Sequence, residues 1–506
     1  MKKMCPALVL VLVLTVVFSS AVFTGCGEIA GYNLTVNYFV GGYGSEWIES
    51  AKAEFEDANP GVKIKLVKDE MLETEGGAVT LLGSKNAPDI IMTLGFNWSE
   101  SVANEEVEPL DEIFNADVEK LDGSSVKLKD FIMGDYKQYP WSKAAVTAQN
   151  EHAWVIPWTA TSVSLAYNDD LLKKTPTSLE SDNARDGFWV NPPSTEQELV
   201  RLVDDINAAA YDGKTVKPFI FPGTAQNWLT FLTTTWWAQY QGIGSERPQG
   251  EGNWYDFWDF ASPDVYKQTG IVKSYELLSR LFIDPAAHSY KNIADAGSDS
   301  TVDAEKKFIN GAAVMMPVGT WLENEMDDFL TAPEAYPDMK NNLRMMTLPS
   351  IEGAKSTGLN NANAGDLMLI PAKAKNKENA KAFLKFLHSE RRLVDFTKSS
   401  GVMRPFEYDP LAAEPTHAWT VFQRDSIKLY TENTNFFKFS KTKAPFFVYK
   451  NLDNFQPTMI SVFNNLLGAG AAVGSPQGAA QAVYAYVTES TGSRTRWEQW
   501  KNDFGL

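Results

Sequence analysis

The sequence predicts an α/β fold divided into at least two lobes. Strand-like and helix-like segments alternate near the start of the chain, which implies parallel strands joined by right-handed crossovers. The 506 residues exceed what one ordinary core accommodates. The composition, 44% hydrophobic and 22% charged, is globular, so a sizeable core can be buried in each lobe.

Each element follows in order. Residues 33–40 (NLTVNYFV) alternate as a strand, and Gly41, Gly42 and Gly44 break it. Ser45 can cap a helix on which Trp47, Ala51 and Phe55 recur at i, i+4 and i+8. Asn59, Pro60 and Gly61 stop that helix, and Val62, Ile64 and Leu66 alternate as a second strand. A helical segment over residues 77–83 and a third strand over 87–92 come next. Open α/β sheets bind ligands at the carboxyl ends of their strands, here residues 41–45 and 93–98. Residues 157–297 are rich in Trp and loops. Within them, STEQE at 194–198 reads as a capped helix start, with Leu199 and Leu202 opening the apolar face. In KFINGAAVMMPVGTW (307–321) a helix should end at Gly311, a buried strand should run over 312–316, and Gly319 should turn the backbone so that Trp321 emerges near any cleft. Ala380, Phe383, Leu384 and Leu387 mark an amphipathic helix, and the C-terminal part is mostly helical in pattern.

Composition excludes several functions. A net charge of -18 argues against binding nucleic acid or anionic membranes through surface charge. No phosphate-binding glycine loop, zinc-binding His-Glu-x-x-His helix or Gly-x-Ser-x-Gly elbow is present. With 64 acidic residues a carboxylate pair for glycoside hydrolysis can always be imagined, but spacing selects none; an exported glycoside hydrolase is the alternative reading. His152, His288, His388 and His417 are scattered and read as structural or surface groups. Asp295, Asp299 and Asp303 are four apart and could share a helix face, but they lack the spacing of a calcium loop and read as a solvated acidic face. No metal, cofactor or catalytic residue is expected.

The start of the chain reads as an export signal: Lys2 and Lys3, then residues 7–18 apolar except Thr15, too short for an ordinary spanning helix. Phe23, Thr24, Gly25 and Cys26 then resemble a bacterial lipobox, with Phe23 where Leu is preferred. The resemblance implies that residues 1–25 are removed and that Cys26 is lipidated. Cys5 lies in the removed part, so no disulfide can form within the mature chain of about 480 residues.

Phe308, Gly311, Ala312, Ala313, Met315, Gly319 and Trp321 resemble the apolar helix, Gly, Ala-Ala-Met and Gly-x-Trp pattern of extracellular solute-binding protein family 1, the sugar-type receptors of ABC importers. APDIIM (87–92), IPWTATSVSLAYNDDLL (156–172), NPPSTEQELV (191–200), and NAGDLMLIPAKAKNKENAKAFLKFLHSE (363–390) with GVMRP (401–405) fit the same family in the same order. The resemblance implies a two-lobe periplasmic-binding-protein fold, type II-like, with a multi-strand hinge and a ligand cleft between the lobes. Crossings are expected near Pro157, near Asn361 and near Arg404 and Pro405. Residues 34–157 and 361–405 would form one lobe, and 158–360 and 406–506 the other. The implied function is a non-catalytic, monomeric, lipid-anchored receptor outside the cytoplasmic membrane that closes on a mono- or oligosaccharide and delivers it to the permease. A tethered receptor for a non-sugar solute or for a sensor system is a further alternative.

A sugar site wants flat aromatics for its C–H faces and planar polar groups for its hydroxyls. The expected ligand residues are Tyr43 and Ser45 in the first glycine loop, Trp98 after the third strand, Trp158 past the first crossing, Trp321 in the Gly-x-Trp motif, Asn361 and Asn363 before Gly365, and Arg404 beside the last crossing. Trp236 and Trp237 are adjacent, so at most one should line a cleft. Core packing competes at every Trp, capping at Ser45 and a hinge ion pair at Arg404.

Overall fold

The computed structural model describes residues 33–94, 98–133, 141–142, 152–225, 228–258, 262–284, 289–294, 299–363, 366–437 and 475–503. Residues 1–32 with Cys26, and Asp295 and His288, lie outside them. No helix among the described residues is long and apolar enough to cross a membrane.

Two principal sheets organise the chain. The first takes β1 (Leu34–Tyr38), β2 (Ile64–Lys68), β3 (Ile90–Thr93) and β4 (Ile156–Pro157). The chain then enters the second with β5 (Thr161–Asn168), β6 (Lys217–Phe219), β7 (Ala313–Gly319), β8 (Leu343–Met346) and β9 (Leu359–Asn363). It returns to the first with β10 (Leu367–Leu369) and to the second with β11 (Thr434–Phe437). The strand order is β2-β1-β3-β10-β4 in the first sheet and β6-β7-β5-β9-β11 in the second, where β8 also pairs with β5.

In the first sheet β1 runs parallel to β2 and β3, as the strand–helix alternation requires. The crossovers are α1 (Glu46–Ala58) and α2 (Glu75–Gly83). α1 buries Trp47, Ile48, Ala51 and Phe55, the stripe its spacing predicts. Ser45 stands at its N-cap position with ψ -10° and makes no capping bond, because a cap hydroxyl reaches the helix only from extended backbone.

The second sheet is covered by α3 (Glu196–Ala208), α4 (Leu229–Gln241), α5 (Thr269–Phe282) and α6 (Thr301–Ile309), with the short α7 (Leu322–Glu325) after β7. Every residue of β5 is buried, as expected of a central strand covered on both faces. Thr195 caps α3 by accepting from the Glu198 N–H, and Glu198 accepts from the Ser194 N–H in return. Two expectations are corrected here. α6 starts only at Thr301, so Asp299 lies ahead of it, paired with Lys307, and shares no helix face with Asp303. β7 continues through Gly319, which makes no turn: a Cβ there would lie 1.9 Å from the Trp321 ring, so the missing side chain is what lets the indole lie on the strand.

α8 (Lys377–Leu387) and α9 (Glu390–Ser400) complete the first lobe. Ala380, Phe383, Leu384 and Leu387 are all buried, and Phe383 meets Phe55 of α1 at 5.1 Å. Such burial contributes about 1.5–3 kcal/mol for each large side chain. α10 (Val421–Glu432) lies between the lobes: Ile427 and Tyr430 join the first core, Phe422 and Leu429 the second.

The chain passes between the sheets at residues 158–160, between Asn363 and Leu367, and again between Glu407 and β11. The first passage is stitched to the first-lobe segment that leads into the third, since the Ala160 N–H donates to the Met403 carbonyl at 2.8 Å.

Candidate functional site

The hinge is built from Tyr43, Trp158, Asp366 and Arg404. Trp158 is fully buried, stacked on Trp47 at 5.6 Å and edge-on to Tyr43 at 5.2 Å. The Tyr43 hydroxyl donates to the Asp366 carboxylate at 2.6 Å and lies 3.1 Å from the Thr161 hydroxyl. Thr159 donates to the same carboxylate oxygen at 2.6 Å. Burial and then the Asp366 charge hold the Tyr43 phenol well above its ordinary value, so it stays a donor. One carboxylate thus ties the first glycine loop, the first passage and the second passage together.

Arg404 is held in the interior and, among the described residues, bonds to carbonyls and a histidine rather than to a carboxylate. It is fully buried, and its guanidinium donates to the carbonyls of Trp158 and Leu387 and to His388 Nε2 at 2.8–3.0 Å. His388 Nδ1 lies 2.6 Å from the Leu384 carbonyl, which can only accept, so Nδ1 carries the proton and Nε2 receives Arg404. Burial lowers Arg404 to about 9. It remains a cation at neutral pH, held by oxygen and nitrogen lone pairs.

Three other expected ligand residues are packed in cores. Trp98 is fully buried among Leu72, Leu82, Val102 and Leu369. Trp236 donates to the Pro349 carbonyl and Trp237 to the Gln268 side chain, both within the second core. Neither of the adjacent pair lines a cleft, because α4 is buried on nearly all sides.

A different group gathers where β7, β5 and β9 meet the passages. Gly319, Val163 and Asn361 lie side by side in register, so they share one sheet face. The Trp321 ring lies over Gly319 on that face. Trp228 meets it edge-on at 5.7 Å and Phe231 at 6.3 Å, while Trp228 and Phe231 stack on each other at 6.0 Å. The Asn361 amide donates to the Phe231 carbonyl at 3.4 Å, whereas its oxygen is buried with no hydrogen-bond partner among the described residues. Trp321 itself is only half-buried. Asn363 ends β9 beside Thr161.

The first lobe meets this face through its glycine loop. Asn324 on α7 donates to the Gly42 carbonyl at 2.6 Å. A Cβ on Gly42 would lie 2.8 Å from the Trp321 Cβ and 3.3 Å from the Glu325 Cβ, so only glycine permits this approach. Sequence reasoning missed Trp228, Phe231, Asn324, Asp366 and Glu305. Glu305 carried a signal: it precedes Phe308 and Ile309 by three and four residues, which places a carboxylate on the apolar stripe of α6.

Cavities of about 470 and 490 Å³ open beyond the far end of β5, around Tyr167 and Arg344 and around Tyr211 and Tyr336. Three of the cations there are engaged: Arg344 is bidentate to Asp425, Lys173 holds Asp169 and Lys174 holds Asp170, while Lys214 lines the second cavity. Among the described residues no cluster of acids, histidines or cysteines could hold a metal ion.

No curated protein matches the chain. Solved structures do, over nearly its whole length. The GacH receptor of Streptomyces glaucescens, described unliganded and with acarbose, is 15% identical, covers 94% of this chain and 100% of its own, and superposes with a TM-score of 0.59. A chitin oligosaccharide binding protein is 17% identical over 90% and 95% of the two chains, with a TM-score of 0.58. The sugar-binding protein MalE of Xanthomonas citri is 15% identical over 89% and 95%, with a TM-score of 0.59. At such identities the likeness establishes a shared two-lobe fold. The model of the bacterial extracellular solute-binding proteins matches residues 41–391, and this chain belongs to that family.

Proposed function

We propose that the protein is a lipid-anchored, non-catalytic receptor that binds a carbohydrate between its lobes and delivers it to an ABC permease. The observation that carries this reading is the Trp321, Trp228 and Phe231 group beside the Asn361 oxygen, which has no partner among the described residues, facing the Gly42 loop of the other lobe. A half-covered indole offers a flat face to sugar C–H groups, and a buried amide oxygen without a partner costs free energy until a hydroxyl donates to it. The similar structures include a receptor described in complex with acarbose and a chitin oligosaccharide binding protein, which supports the same ligand class. Ligand held by both lobes favours the closed form through its higher affinity for that form, and the closed form is what a permease would recognise. Lipid on Cys26 would keep the receptor at the membrane face, each buried methylene adding about 0.8 kcal/mol.

Two experiments test the proposal. A thermal-shift screen of the protein lacking residues 1–26 against saccharides, amino acids, peptides and polyamines should raise the midpoint with one saccharide class, which is recovered intact. A shift confined to the non-sugars would refute the carbohydrate reading, and cleavage of the sugar would restore the hydrolase. Mass spectrometry of the membrane fraction should find a mature chain beginning at lipidated Cys26; an unmodified chain beginning elsewhere would refute the anchor.

A further inference from the structure

The two lobes touch directly at the lip of the cleft, where the first glycine loop meets α7. The loop is a single turn over Gly41–Tyr43 closed by Gly44. Gly41 and Gly44 take φ of 47° and 70°, the left-handed region, which tightens the turn around Gly42. Tyr43 fixes that turn to the first lobe: it is buried against Trp158 and Phe396 and bonded to Asp366. On the facing side α7 is fixed to the second lobe. Leu322 and the flanking Met326 are buried in its core, and the buried Glu323 accepts from the Thr420 hydroxyl at 2.7 Å. Asn324 sits between these anchors and donates its amide N–H to the Gly42 carbonyl at 2.6 Å. A Cβ on Gly42 would stand 2.8 Å from the Trp321 Cβ and 3.3 Å from the Trp321 carbonyl oxygen. Non-bonded carbon atoms need about 3.5–4.0 Å, so no ligand atom fits between the lobes at this point. The link is made by protein atoms alone.

We propose that Asn324 is the positioning residue of an interlobe latch: its bond to the Gly42 carbonyl holds the second lobe against the first and stabilises the closed form whatever the cleft carries. A ligand drives closure only through its differential affinity for the two forms. The latch adds a share that no ligand supplies, and apparent affinity scales with the fraction of receptor already in the form that binds. Its place in the chain gives it leverage on the site. Trp321 immediately precedes α7, and its Cβ packs on the Gly42 turn. Closing the latch therefore seats the indole against the first lobe, and releasing it draws the two apart. One net hydrogen bond shifts a two-state balance about fivefold. That is enough to tune affinity and too little to keep the cleft shut against an entering ligand. The acceptor is a backbone carbonyl, so the latch needs a donor on α7, which an amide supplies and a carboxylate does not.

The first test needs no ligand. Small-angle scattering of the wild type, Asn324→Ala and Asn324→Asp in ligand-free buffer should give a larger radius of gyration for both variants, because alanine lacks the donor and aspartate sets a carboxylate against a carbonyl. Their unfolding midpoints should stay close to that of the wild type, since each lobe keeps its own core. Gly42→Ala should open the receptor as well, and adding Asn324→Ala to it should open it no further, because both changes break one contact. A wild-type radius in both Asn324 variants would overturn the latch and leave the saccharide reading standing. With the saccharide identified by the screen above, Asn324→Ala should bind about fivefold more weakly. Unchanged affinity beside an opened ligand-free form would refute the positioning role. If no saccharide binds, the saccharide reading falls and the scattering still decides the latch.

Discussion

The hinge and the cleft lip are made of the same materials, indoles beside charged or amide side chains, and they differ in one respect. At the hinge the charged groups are matched, although the Trp47 and Trp158 ring nitrogens are buried with no hydrogen-bond partner among the described residues. Asp366 accepts from Tyr43 and Thr159, and Arg404 reaches two carbonyls and His388. At the lip the Asn361 oxygen is buried with no partner among the described residues, the Glu305 carboxyl is turned toward the Trp321 indole, and Trp321 is left half-open. Because an unmatched buried oxygen costs about 1–3 kcal/mol, a fold retains one where something else completes it. Exposure of the ring, and not residue type, separates the structural tryptophans from the proposed binding one: Trp158 is fully buried and Trp321 half-buried.

The largest effect that would break this contrast sits at the hinge. Arg404→Met strands the Trp158 and Leu387 carbonyls and His388, so urea denaturation should show a loss of about 3 kcal/mol or more. A variant as stable as the wild type would mean the hinge is not matched in the way described.

Glu305→Gln sharpens the lip side. Its folded value of about 9 lies above its ordinary 4.5. Below the lower value both states keep the proton and burial carries no penalty. Above it the unfolded chain ionises while the folded chain does not, so stability falls by about 1.4 kcal/mol for each pH unit until the folded value is reached. Gln lacks this slope. Unfolding midpoints of variant and wild type should be close in acid and diverge toward alkaline pH in favour of Gln; parallel curves would show that Glu305 is already compensated.

Asp366→Asn is a milder hinge change, because an amide oxygen replaces a carboxylate for two hydroxyl donors. It should cost about 1–2 kcal/mol in denaturation, with little effect on ligand affinity. Gly42→Ala should be the smallest in stability, within about 1 kcal/mol, but its Cβ meets Trp321 and should push the lips apart. Small-angle scattering should show a larger radius of gyration in the presence of ligand than for the wild type.

Much of the fold was legible because it rests on local pattern. The α1 stripe, the Thr195 cap, the α8 face and the left-handed Gly311 after α6 all appear where spacing placed them. The ligand side was legible only in part. Which tryptophan is buried depends on what packs over it from distant segments: Trp98 lies beneath residues of the first sheet, and Trp236 is capped by Pro349, more than a hundred residues away. Arg404 read as a ligand or ion-pair residue because a buried guanidinium normally has a carboxylate, and no local pattern shows that carbonyl groups and a histidine take its place. Gly319 read as a turn because contact with a ring two residues on looks the same in sequence as backbone freedom.

The most direct test is to measure saccharide affinity and unfolding free energy together for Trp321→Ala and Trp158→Leu. The account predicts opposite patterns. Trp321→Ala should lose about tenfold or more in affinity with little loss of stability, while Trp158→Leu should lose about 2–4 kcal/mol of stability and keep its affinity wherever it is folded. If Trp158→Leu lost affinity at full stability and Trp321→Ala bound normally, the ligand would sit at the hinge and the account would be contradicted.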